Sequence, residues 1–148
     1  MTEYKRIMIP VDFSENSPKL LQAGVDVAEK FQAELFIVFV VQSFEDYSGF
    51  FVPHMPIAQF EEEMLQSAEQ KMDNFLHENL KTSLTCHRKV LKGDVAEELA
   101  RYAAETKVAM IIMGTHGYKG LERVLFGSVA EKIVKTAPCP VLTINPYR

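Results

Sequence analysis

Val108-Ala109-Met110-Ile111-Ile112-Met113-Gly114-Thr115-His116-Gly117 is the stretch that decides the fold. Its apolar run reads as a strand covered on both faces, expected near the middle of a sheet. The run then breaks into glycines, where backbone turns sharply and can approach a ligand. Downstream, a loop from Gly114 to Phe126 leads into an expected helix over Ser128–Thr136 and a last strand over Val141–Ile144, closed by Pro146. Upstream, Gly93-Asp94 followed by Glu97 has the spacing of a capping box, and Val95, Leu99 and Ala103 continue that helix.

Working back to the start extends the alternation. Cys86 to Leu91 is a strand interrupted by His87, Arg88 and Lys89, a polar pattern that suits a sheet edge. A long helix is expected over Ala58–Leu80, with Met64, Ala68, Met72, Phe75 and Leu76 facing the core. Glu34–Val41 is a second strand and Ile7–Val11 the first, stopping at Asp12. Ser17-Pro18 reads as a helix start, a capping hydroxyl followed by proline. Leu21, Gly24, Val25 and Ala28 then give helical spacing, and Gly24 implies close packing on a neighbour. Phe44–Ile57, aromatic and irregular, reads as a variable surface loop, a lid or a partner surface. Strict strand–helix alternation with apolar strands implies a parallel sheet covered by right-handed crossovers, in one domain over residues 1–148.

Composition removes several classes of function. The 148 residues are 47% apolar and 24% charged, which supports a packed core rather than disorder. A net charge of −4 argues against a nucleic-acid binder. Cys86 and Cys139 lack the spacing of a metal knuckle or redox pair. No stretch reaches the ~18 apolar residues of a membrane span, and the run after Lys5-Arg6 is too short for a signal peptide. A cytoplasmic protein is expected.

In open α/β sheets, ligands sit beyond the carboxyl ends of the strands where strand order reverses. The two distinctive strand endings are Asp12 and Gly114. If their strands are neighbours, Asp12 faces the glycine loop across a crevice. That loop runs Gly114, Gly117, nine residues, then Gly127-Ser128-Val129. Gly127-Ser128 opens a helix whose first amides lack intrahelical partners and can receive a phosphate. Bland readings stand beside this one. Ser128 with Glu131 is itself a capping-box pattern, and Asp12 can cap the segment that follows it. Neither a G-x-x-x-x-G-K-[ST] loop nor a G-x-G-x-x-G turn after the first strand is present.

The chain resembles the universal stress protein family over essentially its full length. Gly114, Gly117, Gly127 and Ser128 match the G-x-x-G-x9-G-[ST] motif of its nucleotide-binding members. Ile9-Pro10-Val11-Asp12 and Ala137-Pro138-Cys139-Pro140-Val141 resemble its first and last strands. Phe13 follows Asp12 where many members carry a smaller residue. The resemblance implies a three-layer α/β/α fold of the adenine nucleotide alpha hydrolase-like type, with a five-stranded parallel sheet in the order 3-2-1-4-5. It also implies roles for particular residues. Pro10 and Val11 line the base pocket, and Asp12 contacts adenine or ribose. Val40 packs on adenine, and Met113 and Gly114 lie beneath ribose and phosphates. Gly117, Gly127, Ser128 and Val129 cradle the phosphates. The implied ligand is ATP, ADP or AMP, with magnesium or manganese held through the phosphates rather than by a protein cage. The implied assembly is a homodimer through Val141, Leu142, Thr143 and Ile144. The function expected is a nucleotide-responsive regulatory or stress-resistance factor read by a regulatory partner. The alternatives are a slow ATPase using His116, Lys119, Glu122 or Arg123, and a nucleotide-independent dimeric adaptor.

Overall fold

The computed structural model describes residues 3–42, 57–115 and 127–148. Its elements are β1 (Arg6–Pro10), α1 (Ser17–Phe31), β2 (Glu34–Gln42), α2 (Ile57–Asn79), β3 (Cys86–Gly93), α3 (Val95–Glu105), β4 (Met110–Gly114), α4 (Ser128–Thr136) and β5 (Val141–Ile144). All five strands form one parallel sheet in the order β3-β2-β1-β4-β5. The expected architecture and strand order are therefore present. The polar strand, β3, does lie at an edge. The middle strand is β1, however, with β4 beside it. Both are interior, so apolar content alone does not separate them.

Strand residues alternate between two cores, as a period of two requires. Ile7, Ile9, Leu35, Ile37 and Ile112 pack under α1 and α2. Met8, Phe36, Val38, Val40, Ile111 and Met113 pack under α3 and α4. Gly24 explains how closely α1 approaches the sheet. A Cβ there would collide with Ile9 Cδ1 and lie 3.1 Å from its Cγ1. On α2, Ala68, Met72 and Phe75 are buried as expected, whereas Met64 faces a cavity at the end of the sheet.

The helix starts differ from the sequence expectation in two places. Ser17 does not cap α1. The cap position is Asn16, whose side chain makes no capping bond, and the Ser17 hydroxyl instead donates to Asp12 Oδ1 at 2.9 Å. The proline one residue later already lacks an N–H, so little is left for a cap to satisfy. Ser128 does not cap α4 either. Gly127 occupies that position, with no side-chain bond, and Glu131 pairs with Lys135 at 3.0 Å. At α3 the expected cap is present: Asp94 Oδ2 accepts from the Glu97 amide at 3.1 Å.

Candidate functional site

β1 and β4 are adjacent, with Ile7 opposite Met110 and Met8 opposite Ile111. Their following helices, α1 and α4, belong to opposite faces, so the chain diverges at this point and leaves a crevice. A cavity of about 630 Å³ occupies it, within the usual range of roughly 300–1,000 Å³ for small-molecule sites. Pro10, Val11, Asp12, Val40, Met113, Gly114, Gly127, Ser128 and Val129 all line it. Nine of the ten residues singled out in the sequence thus converge on one space. The tenth, Gly117, lies outside the described residues, as do His116, Lys119, Glu122 and Arg123. The Phe44–Ile57 segment lies outside them up to residue 56.

The turn after β1 sets the position of the acid. Asp12 Oδ1 accepts from the Ser14 amide and from the Ser17 hydroxyl, both at 2.9 Å. Asp12 therefore does organise the following segment, and it borders the cavity as well. Phe13 takes a left-handed φ of 60°, which for a bulky residue is an unfavourable conformation of about 1–2 kcal/mol. Its ring lies 4.5 Å from that of Phe39 and 5.7 Å from that of Phe75. Aromatic burial on this side offsets the backbone cost and turns the chain at Asp12. Phe13 is thus part of the turn that aims the acid.

The other wall is fixed by Thr115. Its amide donates to the Ile144 carbonyl at 2.9 Å, and its own carbonyl accepts from the Gly127 amide at 3.2 Å. The two ends of the glycine-rich loop are therefore held together at the exit of β4. Gly127 has an ordinary φ of −63°, and a Cβ there would meet Thr115 O alone among the described residues, at 3.7 Å. Among the described residues, nothing around it requires glycine, and no side chain at this position stands over the first amides of α4. The first intrahelical bond runs from the Glu131 amide to the Gly127 carbonyl at 2.9 Å, so the amides of Ser128, Val129 and Ala130 precede the helical ladder. An anion in the cavity can accept from them with help from the helix dipole.

The floor between acid and amides is apolar, formed by Val11, Val38, Val40 and Met113. Such a surface suits a flat base. Asp12 is the only carboxylate lining the cavity among the described residues, and no group of three His, Cys, Asp or Glu side chains among them could hold a metal. Both cysteines lie outside the cavity lining. Burial raises the thiol pKa of Cys86, and of Cys139 against a lowering contribution from the Ile111 amide, which makes them poor nucleophiles.

Several wall residues carried no functional signal in the sequence. Ser67, Ala68 and Lys71 come from α2, Val95 and Leu99 from α3, and Pro146 from the turn after β5. That turn is tied to α1 by Lys19 Nζ, which donates to the Pro146 carbonyl at 2.6 Å. Thr115, beside Gly114, was the one such position that the motif could have marked.

The profile of the Universal stress protein family matches residues 3–145 of this chain. A universal stress protein of Methanocaldococcus jannaschii is 36% identical over 147 residues, covering 96% of this chain and 82% of its own. The solved structure of a universal stress protein from Lactobacillus plantarum superposes with a TM-score of 0.80 at 23% identity, covering 98% of this chain and 100% of its own. Two more distant structures share the fold. One is a universal stress protein in complex with cAMP, with a TM-score of 0.62 at 16% identity and coverage of 98% and 99%. The other is the universal stress protein from Archaeoglobus fulgidus in complex with dAMP, with a TM-score of 0.58 at 18% identity and coverage of 97% and 100%. No helix among the described residues is long and apolar enough to cross a membrane.

Proposed function

The chain belongs to the universal stress protein family, and from that premise we propose that its crevice binds ATP, or ADP or AMP, as a regulatory ligand. The base lies on the apolar floor of Val11, Val40 and Met113, near Asp12. The phosphates lie over Gly114 and Gly127 and accept from the amides of Ser128 and Val129. Gly117 completes the cradle. Magnesium or manganese, when bound, is held through the phosphates. The single observation that carries this reading is the uncapped start of α4, opening into a cavity whose other wall is Asp12. That two proteins of this fold hold cAMP and dAMP is consistent with it.

Nucleotide occupancy regulates only if it favours one state of the protein over another. The proposed readout is a homodimer formed through β5, an edge strand with Leu142 exposed, acting on a regulatory partner in the cytoplasm. The test is calorimetric titration of the full chain with ATP, together with native mass spectrometry of the purified protein. Saturable binding, or a copurified adenine nucleotide, is expected. No heat and no saturation at millimolar ATP would remove the proposal.

A further inference from the structure

The crevice crosses the carboxyl edge of the sheet, with lining residues drawn from both cores. Its α4 side carries the open helix start. Its α2 side carries Ser67 and Lys71, one helical turn apart. Lys71 and Asp12 are the only charged side chains in the lining among the described residues. The acids nearest Lys71 in sequence, Glu69 and Asp73, are engaged elsewhere. Both pair with Arg88 of β3, at 2.7 and 3.0 Å. The positions one turn from Lys71 are Ser67, Ala68, Asn74 and Phe75, and none is acidic. Lys71 enters none of the ion pairs among the described residues. A lysine stem can lie along an apolar wall while its ammonium reaches into open space. Among the described residues, the crevice therefore has a second positive pole, on the sheet face opposite α4.

We propose that Lys71, assisted by the Ser67 hydroxyl, is a second anion subsite, so that the crevice prefers an adenine nucleotide with two separated anionic groups over one with a single phosphate. The proposal rests on the nucleotide reading above. One phosphate occupies the start of α4, and the other anion is reached across the apolar floor. Because α2 and α4 cover opposite faces of the sheet, the proposed second anion branches from another part of the nucleotide, as a phosphate on the ribose does, rather than extending the phosphate chain at the α4 pole.

The experiment titrates the full chain with AMP, ATP and adenosine 3′,5′-bisphosphate, using wild type, Lys71→Ala and Lys71→Arg. Wild type is expected to bind the bisphosphate about tenfold more tightly than AMP, a typical worth for one charge-assisted contact. Lys71→Ala removes that preference and changes the affinity for AMP and ATP by less than about twofold, while Lys71→Arg keeps most of it. Thermal melts confirm that the variants fold, as expected for an exposed position. The subsite is overturned, with the nucleotide site left standing, by any of three results: no preference in wild type, a preference that survives Lys71→Ala, or an equal loss of ATP affinity. Failure of all three nucleotides to bind folded wild type removes the nucleotide reading and the subsite together.

Discussion

Two helices begin at the same crevice, α3 at Val95 and α4 at Ser128, and their starts are built in opposite ways. α3 is closed by its own chain. Asp94 caps it, and Glu97 and Glu98 add negative charge in the first turn. Its dipole is satisfied and an incoming anion would be repelled. α4 has Gly127 at the cap, no side-chain bond and a single acid, Glu131, already paired with Lys135. Capping by a carboxylate stabilises a helix by about 1 kcal/mol relative to alanine, and α4 forgoes that contribution. In the proposed reading, the unfinished start of α4 beside the cavity receives the anion, whereas the finished start of α3 at the same cavity is only a wall.

Converting α4 into a second α3 challenges this contrast most directly. Gly127→Asp introduces a carboxylate that caps α4 internally and occupies the phosphate position. Titration should show ATP affinity falling about a hundredfold or more, the worth of losing several donors and adding a like charge. The melting temperature should hold or rise, since among the described residues a Cβ there meets only Thr115 O, at an ordinary 3.7 Å, and a cap is gained. Loss of stability together with loss of binding would mean that Gly127 serves folding instead.

A smaller effect is expected at Asp12, which has a share in both kinds of construction. Asp12→Ala leaves the Ser14 amide and the Ser17 hydroxyl without their acceptor, at about 1–3 kcal/mol for such groups. It also weakens ATP binding by about tenfold through loss of one polar contact. Chemical denaturation and titration read the two parts separately. Unchanged affinity would assign Asp12 to the turn alone.

The smallest effect approaches the two helix starts from the other side. Asp94→Ala should cost about 1 kcal/mol in denaturant melts and leave ATP affinity within about twofold, because the proposed phosphate position uses the start of α4 and not that of α3. A large loss of affinity there would erase the distinction between the two helices.

Much of the site was legible because its signals are local. Apolar runs marked the strands, and glycines beside a strand end marked the loop. Asp12 and Gly114 fell at the carboxyl ends of β1 and β4, which pair. The helix starts were less legible. Ser17 and Ser128 each matched a capping pattern, yet neither caps, since Asp12 claims one hydroxyl and Gly127 takes the other's place. In both cases the cap position falls on the residue before the serine, and the residue types alone do not tell which of the two neighbours the chain uses. Lys71, Leu99 and Pro146 were invisible for a different reason. Each looks like an ordinary helix or tail residue until folding brings it to the cavity.

Residue order was enough to dictate the strand–helix alternation, the polar edge strand and the positions of the glycines, because these follow from hydropathy period and backbone freedom between near neighbours. Only the packed molecule established that Thr115 ties Gly127 to the exit of β4, that α4 starts uncapped, and that Lys71 shares a cavity with Asp12. Those facts depend on contacts between residues far apart in the chain, and the geometry of such contacts is set only when the helices pack on the sheet.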